Sequence, residues 1–198
     1  MRSNSGIITR IYSKSVAISL WTCSIFMGLM IVMAIRPSDI YAQESKPGEY
    51  EVKAVFLYNF VKFVEWPDDK DTRTGRIVNI CILGEDPFGN AFDFIQDETI
   101  DNRKLAVKRV RTHHHIDDCQ VLFISSSEKE DINHILRTVK GSNILTVGDT
   151  NGFAQKGVII NFYIEQNKVR FEINLDSLRR SGLSVSSKVM HLAKIIQG

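Results

Sequence analysis

Apolar residues recur at steps of three and four through Glu49–Pro67, which is the spacing of an amphipathic helix. Lys53, Lys62 and Glu65 lie off the resulting apolar stripe. We expect Pro67 to end the helix, because a proline ring disfavours helical geometry at the residue before it. The residues of this stripe are Val52, Val55, Phe56, Phe60, Phe63 and Val64. Because they are apolar, the rest of the chain must provide an apolar surface that covers them.

Four later segments have the pattern of β-strands. Arg76–Gly84, Cys119–Ile124 and Ile144–Val147 are continuous apolar runs, as expected of strands covered on both faces. Lys104–Val110 alternates instead, which predicts a strand nearer the edge of the sheet.

Two helices are predicted between these strands. Asp86-Pro87 is an N-cap followed by proline at the first helical position, and Ser127 with Glu130 has the spacing of a capping box. The first helix would carry Phe88, Ala91, Phe92 and Ile95, and the second would carry Ile132, Ile135, Leu136 and Val139.

The clearest pairing pattern is a β-hairpin, because Val158–Glu165 and Lys168–Asn174 flank the two turn residues Gln166-Asn167. A two-residue turn fixes the register and sorts the side chains by face. One face would carry the apolar pairs Ile164–Val169, Phe162–Phe171 and Ile160–Ile173. The other face would carry the polar pairs Glu165–Lys168, Tyr163–Arg170 and Asn161–Glu172.

Two helices are expected after the hairpin. Asn174 or Asp176 would cap a short helix ended by Gly182, and Ser186 or Ser187 would begin a last one. The stripe of the last helix would consist of Val189, Leu192, Ala193 and Ile196. The sequence therefore predicts an α/β fold: a largely parallel central sheet flanked by helices on both faces, with a C-terminal antiparallel β-hairpin and two closing helices.

The N-terminal segment has the order of a secretory signal. Val16–Ile35 carries no charge and lies between a basic segment and Arg36-Pro37-Ser38. We expect residues 1–42 to be a signal peptide ending at Ala42, with a single domain at 49–198 after a linker at 43–48. The apolar run 16–35 is also long enough to span a bilayer, so an uncleaved inner-membrane anchor is the alternative. Both interpretations place the domain in the periplasm.

The charge and the cysteine content bear on nucleic-acid binding and on disulfide formation. Residues 43–198 hold 21 basic and 22 acidic residues, so no general attraction to nucleic acid is expected. They also hold two cysteines, Cys81 and Cys119, and an even count in an exported chain predicts a disulfide. Two separate buried thiols are the alternative.

No motif specifies a reaction, a metal or a cofactor. His113–His115 are adjacent and project in different directions, so a solvated run is expected rather than a metal site. Ser125–Ser127 follow a strand without the glycine-framed elbow of a serine nucleophile, and helix capping accounts for them.

Five segments together carry a family resemblance: VKAVFLYNFVKFVEWP (52–67), ICILGEDPFG (80–89), CQVLFISSSE (119–128), ILTVGDTNGFAQKGVIINFYIE (144–165) and VRFEINLDSLRRSGLSVSSKVMHLAK (169–194). They resemble the YfiR family of exported bacterial proteins over nearly all of the chain after the signal segment. The resemblance implies a periplasmic regulator and not an enzyme. Such a protein binds the periplasmic sensor domain of an inner-membrane signalling protein, typified by a diguanylate cyclase, and represses it.

The resemblance also implies downstream effects on cyclic-di-GMP and biofilm formation, and related members serve histidine kinases. Cys81 and Cys119 match a cysteine pair that the family bridges, whereas a second family pair has no counterpart in 144–157. Whether the domain forms a homodimer stays open.

The pattern alone suggests where a partner would bind. Phe153 is an aromatic residue in a glycine-containing loop, and Tyr163, Glu165 and Arg170 lie on the polar face of the hairpin. The alternative is that Phe153 packs in the core and the other three form a solvated face.

Two other functions remain as rivals. An exported small-ligand-binding module predicts a pocket beside the strand ends near Gly84 and Ser125. A hydrolase would use Ser125–Ser127 with a histidine.

Overall fold

A computed structural model describes residues 48–67, 77–95, 98–112 and 116–197. The signal segment 1–42, most of the linker and the histidine run 113–115 lie outside the described residues, so those expectations stay predictions. None of the helices within the described ranges is long and apolar enough to cross a membrane.

An eight-stranded sheet forms the centre of the domain. Its strands are β2 (Ile77–Leu83), β3 (Thr99–Ile100), β4 (Arg103–Val110), β5 (Val121–Ile124), β6 (Leu145–Gly148), β7 (Ile160–Glu165), β8 (Lys168–Asn174) and β10 (Lys194–Ile196). They lie in the order β10-β8-β7-β6-β5-β2-β4-β3. Strands β2, β4, β5, β6 and β7 are parallel, β8 runs antiparallel to β7, and β3 runs antiparallel to β4. The predicted largely parallel α/β sheet is confirmed.

The hairpin formed by β7 and β8 has the predicted register at all six pairs, from Ile160 opposite Ile173 to Glu165 opposite Lys168. Gln166 and Asn167 have φ of 50° and 57°, as a type I′ turn requires. The twist of this turn matches that of the strands, so the local sequence fixes the pairing.

Helix α1 spans Glu49–Phe63 and ends earlier than predicted, because Val64–Glu65 forms a short strand, β1. The predicted stripe is confirmed in part, because Phe60 and Val64 are buried and Phe56 and Phe63 pack against the core. Val55 is 45% exposed, whereas Lys53, predicted to lie off the stripe, is 3% exposed. Apolar residues occur around most of this helix, so pairing partners elsewhere in the chain decide which face is buried. The residues of α1 that are buried are Lys53, Ala54, Leu57, Phe60 and Val61.

The segment from Asp86 to Ile95 is not an α-helix, which corrects the prediction. Turns lead into a single 3₁₀ turn at Asp93–Ile95. The Asp86 carboxylate accepts the Phe88 backbone N–H at 2.8 Å and the Arg109 Nε–H at 2.6 Å, so it closes a turn instead of capping a helix. The apolar residues chosen for that helix are nevertheless all buried: Phe88, Ala91, Phe92 and Ile95.

The predicted capping box at Ser127 and Glu130 is also wrong. Ser125 caps a 3₁₀ turn at Ser126–Glu128, and helix α2 begins later, spanning Ile132–Thr138. A short helix, α3, then covers Phe153–Lys156 between β6 and β7.

The C-terminal region contains α4 (Leu175–Ser181), β9 (Ser184–Val185) and α5 (Ser187–Met190). Asn174 caps α4, as predicted, through its side-chain Oδ1 and the Ser177 N–H. The predicted last helix stops after one turn, and 194–196 form β10 beside β8. The open edge of β8 offers backbone hydrogen bonds that a frayed helix would lack.

The two faces of the sheet have separate cores. On one face α1, the segment 88–95 and the C-terminal elements cover a core rich in phenylalanine. On the other face α2, α3 and the segment 116–119 cover an almost entirely aliphatic core. Cys81 of β2 and Cys119 form a disulfide in this second core, with their Cα atoms 5.8 Å apart. The predicted disulfide is thus present in the structure.

Candidate functional site

The order of the strands creates a crossing point between β2 and β5. From β2 the chain passes to β4 on one side, then crosses over to β5 on the other. Open α/β sheets bind ligands at the carboxyl ends of the strands beside such a point, because the following loops diverge there. The loops in question begin at Gly84 and Ser125, where the ligand-binding rival predicts a pocket.

A cleft of about 540 Å³ lies at this place. Gly84 forms its base with φ of +90°, and a Cβ there would collide with the Ser127 hydroxyl, so only glycine fits. The Glu85 backbone N–H donates to Ser127 Oγ at 3.0 Å, and this hydroxyl donates to Glu128 Oε1 at 3.1 Å. The lining residues are Gly84, Glu85, Asp86, Arg109, Val110, Arg111, Ser127 and Glu128.

One wall of this cleft is held by charge-assisted hydrogen bonds. Arg109 donates through Nε to Asp86 Oδ2 and through Nη2 to the Gly89 carbonyl oxygen at 2.9 Å. Glu85 and Arg111 are exposed at the rim, so charges of both signs face the opening. The cleft can therefore accept a polar ligand.

The serines of the hydrolase rival have structural roles at this cleft. Ser125 is 4% exposed and accepts the Ser127 N–H at the start of the 3₁₀ turn. Ser127 joins the two loops through its hydroxyl, as described above. Ser125 has the capping role that the sequence interpretation expected of this serine run, whereas the bridging role of Ser127 was not expected.

An ionic cluster, buried at Lys53 and Asp149, joins α1 to the carboxyl end of β6. Lys53 Nζ lies 2.7 Å from Asp149 Oδ2, and the Tyr50 hydroxyl donates to the same oxygen at 2.9 Å. Glu49 provides a second carboxylate at 2.5 Å from Lys53 Nζ. Burial, reinforced by the neighbouring Asp149 charge and its hydrogen bond, raises the pKa of Tyr50 above its ordinary value.

Sequence reasoning missed this cluster. The usable signals were the Glu49 and Lys53 pair at i, i+4 and an aspartate directly after a buried strand. The distance of 96 residues between Lys53 and Asp149 hides their contact from any local pattern.

Three of the four predicted partner-binding residues lie together. Tyr163 is opposite Arg170 on the hairpin, and Glu165 follows on the same face. Glu165 and Arg170 are exposed and Tyr163 is half-buried. Lys194 of β10 extends this surface, because its Nζ lies 5.7 Å from the centre of the Tyr163 ring.

Phe153 does not lie on that surface, and its sequence-based assignment as a contact residue is corrected. Its ring is 1% exposed and belongs to the aliphatic core that contains the disulfide. Gly152, with φ of +86°, turns the chain inward, and a Cβ at Gly148 would lie 2.7 Å from the Phe153 ring. The alternative of core packing is the one that the structure shows.

Comparison with known proteins gives a family match over most of the chain. Residues 50–194 match the family described as YfiR/HmsC-like. This family consists of periplasmic, regulatory, non-catalytic proteins that interact with a partner signalling protein.

Matches to solved structures are at low sequence identity. A conserved domain protein from Vibrio cholerae O1 biovar El Tor strain N16961 has 10% identity and a TM-score of 0.47, covering 74% of this chain and 60% of that one. An ABC domain from Streptococcus pneumonia in complex with L-Trp has 9% identity and a TM-score of 0.44, covering 60% and 55%. The open, ligand-free substrate binding protein CD0873 from Clostridium difficile has 10% identity and a TM-score of 0.41, covering 61% and 54%. This chain thus spans less than two thirds of each of those proteins.

Proposed function

The chain belongs to the YfiR/HmsC-like family, and from that membership we propose that it binds the periplasmic domain of an inner-membrane signalling protein and represses its output. The family match over residues 50–194 carries the proposal. The receptor is of the diguanylate cyclase type or, as the second candidate, a histidine kinase. Cyclic-di-GMP and biofilm formation would then rise when repression is lost.

We propose the polar face of the hairpin, with Tyr163, Glu165 and Arg170, as the partner-binding surface. Tyrosine and arginine contribute disproportionately to protein–protein interfaces, because they combine apolar area with hydrogen-bonding groups. The backbone of this surface is held by the pairing of β7 with β8 at six positions, from Ile160 opposite Ile173 to Glu165 opposite Lys168. A rigid surface loses little conformational entropy on binding.

The mechanism is a shift of the receptor's conformational equilibrium. The domain would bind the inactive conformation of the periplasmic sensor more tightly than the active one. To reverse a receptor that favours its active state by 99 to 1, that preference must reach about 5.5 kcal/mol. Export by residues 1–42, or anchoring through residues 16–35, would place the domain beside such a sensor.

The experiment compares the tagged full chain with a Tyr163→Ala/Glu165→Ala/Arg170→Ala variant in a pull-down from solubilised membranes. The matched control, Lys104→Ala/Glu130→Ala/Lys129→Ala, changes exposed residues away from the hairpin. We expect the wild type and the control to recover an inner-membrane signalling protein, and the hairpin variant to lose it and to raise cellular cyclic-di-GMP. Recovery of no signalling protein by the wild type contradicts the function, and equal recovery by all three contradicts only the surface.

The cleft at Gly84 and Ser127 favours a second candidate function, the binding of a small polar ligand. Its test is a thermal-shift screen of small polar molecules against the wild type and an Arg111→Gln/Glu85→Gln variant. A shift that the variant loses supports a ligand site. Equal shifts in both proteins contradict it.

A further inference from the structure

A second cavity, at the opposite end of the sheet from the cleft, has a different chemistry. It measures about 330 Å³ and lies where β6 begins, between the C-terminal ends of α2, α3 and α4. Its lining consists of Leu136, Val139, Lys140, Gly141, Ile144, Thr146, Lys156, Gly157, Ile159, Ser177, Arg180 and Ser181.

All the charged side chains of this lining are positive. Lys140 follows α2, Lys156 ends α3 and Arg180 lies in the last turn of α4, and all three are exposed. Among the residues that the structure describes, this lining contains no aspartate or glutamate, in contrast to the cleft at Gly84, where carboxylates outnumber guanidinium groups. Three cations facing one space without a carboxylate repel one another, and an anion placed between them relieves that repulsion.

The interior of the cavity is apolar, because its polar groups already have partners. The Thr146 hydroxyl accepts the Ile159 N–H at 2.9 Å, and the Ser181 hydroxyl donates to the Leu178 carbonyl at 2.7 Å. Ser177 Oγ accepts from Arg180 Nη2 at 3.0 Å. The remaining surface comes from four aliphatic side chains, namely Leu136, Val139, Ile144 and Ile159. A ligand therefore finds apolar contacts inside and positive charge at the rim.

Two residues of the lining are glycines with positive φ. Gly157 has φ of +116°, and a Cβ there would be in van der Waals contact with Leu136 and Ser177. Gly141, at the end of the helical segment that includes α2, has φ of +76°. Both conformations favour glycine, so no side chain projects from either position into the cavity.

We infer that this cavity binds an amphipathic anion: a carboxylate on a short apolar body, with the carboxylate at Lys140, Lys156 and Arg180. The site goes beyond the proposed repressor function, since it shares no residue with the hairpin surface. Each methylene that enters the aliphatic interior should raise the affinity about fourfold, as expected from the free energy of transferring a methylene from water.

The experiment is isothermal titration of the full chain with butanoate, hexanoate and octanoate, and with 1-octanol and inorganic phosphate as single-property probes. We expect affinity to rise along the carboxylate series, and both single-property probes to bind at least tenfold more weakly than octanoate. Equal affinity for 1-octanol and octanoate overturns the role of the cations. Equal affinity for phosphate and octanoate overturns the role of the aliphatic interior.

Two pairs of variants tie the binding to the cavity. Octanoate binding should weaken at least tenfold in the variant Lys140→Gln/Lys156→Gln/Arg180→Gln. The control variant, Lys104→Gln/Lys129→Gln/Lys168→Gln, makes the same change in net charge outside the cavity. It should leave the affinity for octanoate within twofold of the wild type. Leu136→Gln should flatten the dependence on chain length, whereas Leu192→Gln, at a residue 64% exposed and outside the cavity, should not. Thermal unfolding of each variant verifies folding, and equal losses within either pair overturn the assignment.

Discussion

The cores on the two faces of the central sheet are stabilised in different ways. On the face covered by α1, Phe56, Phe60, Phe162 and Phe171 form a cluster with ring centres 5.2–6.4 Å apart. On the other face the covering helices are short, seven residues in α2 and four in α3. That face instead contains the disulfide between Cys81 and Cys119.

This difference follows from what each face can bury. A helix of 15 residues presents several aromatic side chains to the sheet and fixes its own position through the buried Lys53–Asp149 pair. Helices of seven and four residues are marginal by themselves and bury little apolar area. A disulfide stabilises the fold by restricting the unfolded chain, and this effect does not depend on buried apolar area. It therefore compensates for the smaller apolar area that the short helices bury on this face.

Removing the centre of the aromatic cluster should have the largest effect. Phe60→Ala should lower the free energy of unfolding by about 3–5 kcal/mol, because Phe60 is 1% exposed and contacts three other rings. Urea unfolding of the oxidised protein measures this loss. Phe94→Ala, at a ring 48% exposed, is the control and should cost much less. Similar losses in both variants would mean that the cluster is not central to stability.

Breaking the buried ion pair tests how α1 is fixed. Lys53→Met should cost about 3 kcal/mol or more, because it leaves the Asp149 carboxylate buried without its cation. The double variant Lys53→Met/Asp149→Leu should recover most of this loss in the same urea experiment. A double variant less stable than the single one would show that the charges stabilise the fold beyond compensating each other.

Removing the disulfide tests the other face. Cys81→Ala/Cys119→Ala should cost about 2–4 kcal/mol, since the bridge closes a loop over a sequence separation of 38. Adding Phe60→Ala to this variant sharpens the comparison. If the faces are independent, the two losses add within about 0.5 kcal/mol. A clear departure from additivity would show that the faces are coupled through the strands between them.

The cap of α4 should have a smaller effect. Asn174→Ala removes the acceptor of the Ser177 N–H and the Nδ2 donor to the Ala154 carbonyl, at 2.9 Å and 2.8 Å. We expect a loss of about 1–2 kcal/mol in urea unfolding. Asn174→Asp retains the cap acceptor and loses the donor, so it should fall between the wild type and Asn174→Ala.

The smallest predicted effect concerns pH. The pKa of Tyr50 is raised on folding, so the folded state retains the phenolic proton where the unfolded state loses it. The contribution of Tyr50 to the free energy of unfolding is therefore fully present below about pH 10, the ordinary tyrosine pKa. It declines as the pH rises above that value. Tyr50→Phe should reduce the fall in urea midpoint between pH 9 and pH 11. Parallel curves for the wild type and Tyr50→Phe would contradict this assignment.

Sequence reasoning succeeded where the deciding interactions are local. The hairpin register follows from the turn at Gln166-Asn167 and the alternation beside it, and both act within a few residues. The same register places Tyr163, Glu165 and Arg170 on one face of the hairpin, and their role in partner binding stays a prediction.

Where partners are distant in sequence, the local pattern was insufficient. Lys53 of α1 is buried against Asp149, 96 residues away in the sequence, and the predicted last helix gives way to a strand that pairs with β8. The cationic cavity could not be predicted either. Lys140, Lys156 and Arg180 belong to the ends of three separate helices, and only the fold brings them to one opening.

We also expect the disulfide to affect local opening of the sheet. Strands β3 and β4 lie between Cys81 and Cys119 in the chain and form one edge of the sheet. When this edge opens, both ends of the segment remain covalently joined at β2 and at the start of β5. The opened segment then belongs to a closed covalent loop, which has fewer conformations than a free chain. The strands of this edge should therefore pair again quickly. In hydrogen exchange, amides of β4 should exchange faster after reduction, while those of β7 and β8 should change little.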